Sequence, residues 1–527
     1  MRRMLPATVP MYKNKRNIFR LSGAVFCCWL AGCAVGPDYH PIDTRMPDTF
    51  IGASSDSLNA KEAKTEQPVI DTTIWWKSLN DPELDSLIDR AIASNLDLEI
   101  ALDRVQEART QEVVVLGGAL PEIGASLGGA AGTGSNLARG RVSGPLVAAE
   151  NTGHLNHVTH IAGFDSTWEL DLVGKYRRAI EAAEYDTQAA IAARNNVLIS
   201  VIADVARAYT DMRVGQMRLA VVQKIITSAE AYSKLTQERY NYGITNELDA
   251  RLAERQLASF EAEKAPLVAQ IHAAQYVIAV LLGVFPEDMA NELEKPGMVP
   301  FSPDKIETGL PISLLRRRPD IQEAEREVAA ATARIGEAEA DLFPHVSLLG
   351  GVGIQGKGLG KDLDAGFIWS VGPSVSWSLL DFGTLDALVD KADLRTKEKL
   401  AQYKRTLLNA VREVDTSIAA YKAQIKRLAS LEKALAASQR AVSLATQRYD
   451  RGLTDALNVV DSERQEYELE AQYVSAQQNV AEEFIRLYKA LGGGWEQYQS
   501  FPPIHQPQPA VIAAFTRLLS SNDPQKE

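Results

Sequence analysis

The residues best able to do chemistry in this chain are few and scattered. His154, His157 and His160 recur at every third position, and imidazoles are common metal ligands. That spacing would suit one face of a helix. The surrounding segment is glycine-rich, however, and reads as an external loop flanking a strand, with no cysteine or carboxylate cluster beside it. No metal is assigned on this basis. There is no H-E-x-x-H and no glycine loop closed by Lys-Ser/Thr, so no enzymatic constellation stands out. What remains is a set of polar residues after two short turns. Asp249 falls in the first turn of a helix, where an acid favours the macrodipole or completes a capping box with Asn246. Asn458 is open to the same reading, whereas Asp461 lies a turn further in, beyond capping reach and suited to a solvated face.

These residues belong to a repeat. RYNYGITNELD (Arg239 to Asp249) and RYDRGLTDALN (Arg448 to Asn458) lie 209 residues apart. At the same offset Gly174 matches Gly383, Arg255-Gln256 matches Arg464-Gln465, and Leu282-Gly283 matches Leu491-Gly492. Upstream the offset is 223: Asp97, Ala101 and Val105 match Asp320, Ala324 and Val328, and Leu120-Pro121 matches Phe343-Pro344. So large a period is a duplicated half-molecule, not a solenoid unit. The 14-residue difference in offset is placed in the glycine-rich stretch from Ser126 to His160.

Each copy has three parts. The first is helical: LIDRAIASNLDLEIALDRVQEAR in one copy, QEAEREVAAATARIGEAEADL in the other. The second holds two short strands. Apolar residues alternate strictly in Thr167–Leu172 and Ser374–Leu379, with PEIGASLGGA and PHVSLLGGVG as weaker partners. The third is a long helical hairpin, free of proline from Leu146 to Ala265 and from Ser374 to Phe501. Leu198, Ile202, Val205, Tyr209 and Met212 form a 4-3-4-3 seam, repeated by Leu407, Val411, Val414, Ile418 and Tyr421. A helix from Lys175 to Arg239 would be about 100 Å long. Gly243 and Gly452 end the outgoing helices, and Thr245 or Asn246, and Thr454 or Asp455, cap the returning ones.

The amino terminus has basic residues (Lys13, Lys15, Arg16, Arg20) before the short apolar run LSGAVFCCWLAG. This is the layout of a signal peptide rather than a membrane span, with Met11 an alternative start to Met1. The run ends in Leu30-Ala31-Gly32-Cys33, which resembles a bacterial lipobox, implying a covalent lipid on Cys33. Cleavage would remove Cys27 and Cys28, leaving no thiol free to form a disulfide. The full chain carries a net charge of −12, and the leader holds six Lys/Arg and no acid. The mature protein would thus be more acidic still, which argues against nucleic acid. Ala34 in place of an aspartate after the cysteine implies delivery to the outer membrane.

Four strands cannot close a barrel, and open strand edges cannot stand in lipid. Three chains would pool twelve strands, an even number suited to an outer-membrane barrel. Here the sequence becomes specific. Val35-Gly36-Pro37-Asp38-Tyr39, Trp75-Trp76, DPELDSLI, RRRPDIQEAE and ARIGEAEADLFP together resemble the TolC-like outer-membrane efflux proteins. The likeness is to their NodT-type lipoprotein branch, which serves resistance-nodulation-division pumps, and it covers Cys33 to about Trp495.

The resemblance implies a mostly α, internally duplicated fold: a homotrimer with a 12-stranded β-barrel in the outer membrane and a long coiled-coil α-helical barrel in the periplasm. It implies a periplasmic adaptor and an inner-membrane pump as partners, outer-membrane lipid around the barrel, and passive, gated export of small compounds such as drugs, toxic compounds or metals. The two turns would then form the periplasmic tip, with Tyr240, Gly243, Tyr449 and Gly452 in the turn and gate network. Asp249, Asn458 and Asp461 would line the channel constriction. Asn458 stands where the family pattern has a carboxylate, and Thr454 where it has an arginine, so this gate would hold fewer charged contacts. The implied layout is a signal peptide over 1–32, a lipidated extended segment over 33–80, repeats over 81–283 and 311–493 joined by a linker over 284–310, and a tail over 494–527. The alternative, a lipid-anchored coiled-coil adhesin or scaffold without a lumen, has no need of two-faced strands.

Overall fold

The computed structural model describes residues 34–42, 50, 72–133, 156–289, 292–300, 312–357, 364–451, 453–454 and 456–498. Cys33, His154, Gly452 and Asp455, the leader and the chain after 498 lie outside these residues. The principal elements are α1 (Pro82–Ser94), α2 (Leu96–Gly118), β1 (Glu122–Thr133), β2 (Asn156–Leu170), α3 (Lys175–Asn241) and α4 (Glu247–Leu281). They are followed by α5 (Pro319–Ala340), β3 (His345–Lys357), β4 (Asp364–Ser376), α6 (Thr384–Asp450) and α7 (Ala456–Leu491). The duplication is visible in the element limits. Helices α3 and α6 have 67 residues each and begin and end at positions related by the sequence offset of 209. The first helix of copy one, read as continuous, is in fact broken at Asn95. Its buried side chain accepts from Leu98 N (3.1 Å) and donates to Leu281 O (2.8 Å), capping one helix while fastening another.

The chain forms two compact units, each drawing segments from both repeats: residues 1–44, 107–190 and 323–405, and residues 45–106, 191–322 and 406–527. The first unit contains one antiparallel sheet of order β1-β2-β3-β4. The register sets Ala125 against Phe164, Phe164 against Val352, and Val352 against Trp369. Because side chains alternate along a strand, these residues share a face with Ile123, Leu127, Ile354 and Phe367. That face is apolar and exposed; Leu127 is 88% and Trp369 69% accessible. The opposite face carries Ser126, Gly163, Asp165, Gly351, Ser370 and Gly372.

The strands are longer than the alternating runs suggested, and lie mostly upstream of them: β2 ends at Leu170 and β4 at Ser376. A paired latch marks the exit from each. Trp168 Nε1 donates to Ala119 O (3.0 Å), and Trp377 Nε1 to Leu342 O (3.1 Å). Each indole thus takes up an orphan carbonyl just past the helix that precedes the strands. In the same unit, residues 34–42 are strapped down. Val35 N donates to Val173 O (2.9 Å), Arg178 binds the carbonyls of Val35 and Gly36 and the carboxylate of Asp38 (2.7 Å), and Tyr39 donates to Glu325 (2.8 Å).

The second unit holds the helical seams. Leu198, Ile202, Val205, Tyr209 and Met212 are almost wholly buried, as are Val414 and Tyr421 in the second copy. Trp75 stacks on Tyr488 (5.8 Å between centroids) and meets Phe484 edge-on, docking residues 72–79 against α7. Two buried arginines tie in neighbouring segments. Arg213 binds Glu83, Gln216 (2.8 Å) and the Lys295 carbonyl (2.6 Å). Arg318 binds Asp320, Glu413 (3.0 Å) and the Ala490 carbonyl (2.5 Å).

Candidate functional site

The turn after α3 is built from backbone bonds around one glycine. Gly243 has φ +71°, Ile244 N donates to Arg239 O (2.8 Å), and Gly243 N donates to Tyr240 O (2.9 Å). This pair of bonds satisfies carbonyls left open at a helix end, and it requires a left-handed residue between them. In the second copy Leu453 N donates to Arg448 O (2.9 Å), the same bond shifted by the repeat.

Of the two cap candidates for α4, the structure selects Asn246, whose side chain accepts from Asp249 N (2.9 Å). Thr245 instead donates its hydroxyl to the Asp249 carboxylate. At the matching place in copy two, the Asn458 amide donates to the Thr454 hydroxyl (2.8 Å). The contact is repeated with its polarity reversed: threonine gives a proton to the acid in one copy and accepts one from the amide in the other. Asp249 is thus partly sheltered, while Asn458 is exposed.

Between the two copies lies an aromatic and basic contact. Arg239 sits 5.7 Å from the ring centroid of Tyr449, within cation–π range, and the Tyr449 hydroxyl is buried without a hydrogen-bond partner. Burial pushes the nearby Tyr232 phenol above its ordinary range, and the charge of Asp249 adds to the effect. Tyr240, the counterpart of Tyr449, is more exposed. Asp461 stands apart from this cluster. It is exposed and engaged on its own helix by Arg464 (3.0 Å) and Gln465 (2.9 Å).

The structure therefore gathers Arg239, Tyr449 and Tyr232 beside Asp249, and leaves Asn458 and Asp461 facing outward from one chain. Sequence reading missed Arg239, Tyr232 and the two threonine contacts. A signal for the threonines was present, since Thr245 and Thr454 are a repeat pair directly ahead of Asp249 and Asn458. The histidines are corrected: His157 and His160 lie in β2, paired with Gly132 and Gly129, not in a loop. Among the described residues no group of three His, Cys, Asp or Glu is placed to hold a metal. The contacts around the two turns are exchangeable hydrogen bonds and a cation–π contact.

The comparisons with known proteins agree with this architecture. The family described as "Outer membrane efflux protein" matches residues 87–284 and 310–493. The chain is 29% identical to nodulation protein T of Rhizobium leguminosarum bv. viciae over 96% of this chain and 99% of the relative. It is 28% identical to the toluene efflux pump outer membrane protein TtgC of Pseudomonas putida, covering 90% and 95%. Among solved structures, the outer-membrane channel OprN shares 33% identity with a TM-score of 0.77, covering 88% of this chain and all of that one. The open-state outer membrane channel MtrE of Neisseria gonorrhoeae shares 28% identity with a TM-score of 0.73, covering 88% and 99%. A two-faced sheet, a duplicated pair of long helical hairpins and these matches lead to one conclusion: the chain belongs to the outer membrane efflux protein family, a family of outer-membrane channels rather than enzymes.

Proposed function

We propose that this protein is the outer-membrane component of a tripartite efflux system, a passive and gated export duct for small compounds. The observation that carries the proposal is the sheet. Four strands present an exposed apolar face and a small, polar face, and among the described residues β1 and β4 have no strand on their outer sides. In hydrocarbon an open edge leaves several kcal/mol per backbone group unsatisfied, so the strands need neighbours. A homotrimer supplies them, giving twelve strands with the apolar face to lipid and the polar face to a lumen. Energy then comes from an inner-membrane resistance-nodulation-division pump through a periplasmic adaptor that meets the tip turns. The relatives named for antibiotic and toluene efflux support export of small compounds as the class of work.

At the tip, threefold symmetry would bring three copies of Asp461 and of Asp249 about one axis. Crowded like charges favour bound cations and protonation, and so constrict the passage electrostatically. Tyr449, Tyr240, Gly243 and Gly452 would set the resting position of the turns. Lipid on Cys33 would anchor the strapped segment that begins at Ala34. Native mass spectrometry of the purified protein tests the assembly: a mass of three lipidated chains is expected, and a monomer that retains the folded spectrum would defeat the duct.

A further inference from the structure

The helical hairpins line a cavity that opens to solvent. Its volume is about 170 Å³, and it lies between α3, α4, α6 and α7. Ser228, Ala229 and Ala253 are the small residues of its lining, and Ala253 is buried. Its apolar walls are Tyr232, Phe260 and Tyr467. Phe260 and Tyr467 meet edge to face at 5.4 Å, and the Tyr467 hydroxyl is committed to Glu263, so its ring is what the cavity is offered.

The polar lining is unbalanced. Glu463, Glu466 and Glu470 face two cations, Lys224 and Arg464, and Arg464 already holds Asp461 (3.0 Å) and Glu468 (2.7 Å). Among the described residues Glu463 shows no ion pair. Glu463 as a residue is exposed at the mouth of the cavity, and partial burial of its carboxyl, then the neighbouring Glu466, raise it above the ordinary range.

We infer that this cavity is a binding site for a small aromatic ammonium compound, its ring between Tyr232, Phe260 and Tyr467 and its cationic nitrogen against Glu463. The size is apt, since a cavity of about 150 Å³ admits benzene. The walls suit the ring, and faces of tyrosine and phenylalanine attract cations. The excess carboxylate selects positive charge over neutral or anionic rings. Its occupancy is read directly by binding, whether or not the trimer passes solute.

The test uses 4-fluorobenzylammonium and the neutral 4-fluorobenzyl alcohol, followed by fluorine NMR line-broadening titrations against the purified full-length protein in detergent. Wild type is expected to bind the ammonium at least about tenfold more tightly than the alcohol. Glu463→Gln, which preserves shape, should remove most of that preference. Ala253→Leu, which fills the cavity, should abolish binding of both probes while leaving the elution volume unchanged. Equal broadening by the two probes, or an unchanged preference in Glu463→Gln, overturns the assignment. If Ala253→Leu fails to fold, the Glu463→Gln comparison still decides.

Discussion

Gly243 and Gly283 end α3 and α4 in the same backbone motif, yet replacing them by alanine should have different consequences. Both have positive φ, +71° and +67°. Both close the motif with paired bonds: Ile244 N to Arg239 O and Gly243 N to Tyr240 O, against Val284 N to Ala279 O and Gly283 N to Val280 O. The left-handed conformation costs an L-residue about 1–2 kcal/mol, and this much applies to both sites. The surroundings differ. A Cβ on Gly243 would meet nothing within 4 Å, whereas one on Gly283 would lie 2.6 Å from the Ser94 carbonyl oxygen. That oxygen belongs to backbone held by two bonds, Ser94 Oγ to Leu282 O (2.7 Å) and Asn95 Nδ2 to Leu281 O (2.8 Å). Relieving the contact either strains the packing by about 1–3 kcal/mol or breaks those bonds at about 1 kcal/mol each. Gly283→Ala should therefore cost about 2–5 kcal/mol in total, and Gly243→Ala about 1–2. Thermal unfolding of the purified proteins at one fixed scan rate gives the order directly, as irreversible unfolding requires. Wild type should outlast Gly243→Ala, and Gly243→Ala should clearly outlast Gly283→Ala. Equal losses would refute the claim that the α1–α4 contact, rather than the turn alone, fixes this glycine.

Arg213→Ala should destabilise the protein by about 3 kcal/mol, toward the low end for a broken buried ion pair because Glu83 can rehydrate; faster proteolysis in the 292–300 segment would show it. Tyr498 donates to Asp89 (3.4 Å), and burial followed by that acid pushes its phenol up to about 12 from 10.0. The folded state thus favours the neutral phenol. Its contribution is complete below pH 10 and is lost as pH climbs from 10 to 12, so Tyr498→Phe should flatten that part of the unfolding profile. Cys33→Ser should remove the lipid mass and release the protein from its anchor during membrane washing, whereas an unchanged mass would show that Cys33 is not the lipidated residue. Trp377→Phe keeps the ring and loses the bond to Leu342 O, and should cost about 1 kcal/mol in the same thermal assay.

The long elements were legible because their signals are periodic and duplicated. Two 67-residue helices with matching seams can be read from the 209 offset and the spacing of Leu198 to Met212. Even the tryptophan latches are encoded, because Trp168 and Trp377 differ by 209 and their acceptors Ala119 and Leu342 by 223. What was lost is what depends on partners distant in sequence. The break at Asn95 is hidden, since LDLEIALDRV continues the apolar period and only the Leu281 carbonyl shows why the asparagine turns inward. The strands were underestimated because glycines on the polar face, Gly124, Gly128 and Gly351 among them, carry no alternation signal. At the tip, Asp249 could be placed from the repeat, but Arg239 against Tyr449 joins one copy to the other and no spacing within either reveals it.

The central claim is that this protein conducts and that its carboxylates restrict the passage. Single-channel conductance of the purified protein in planar bilayers, wild type beside Asp461→Ala, tests it most directly. The account predicts small, cation-selective openings that grow in the variant, because removing Asp461 takes three charges from the constriction. A folded trimer that shows no conductance in either form would contradict it.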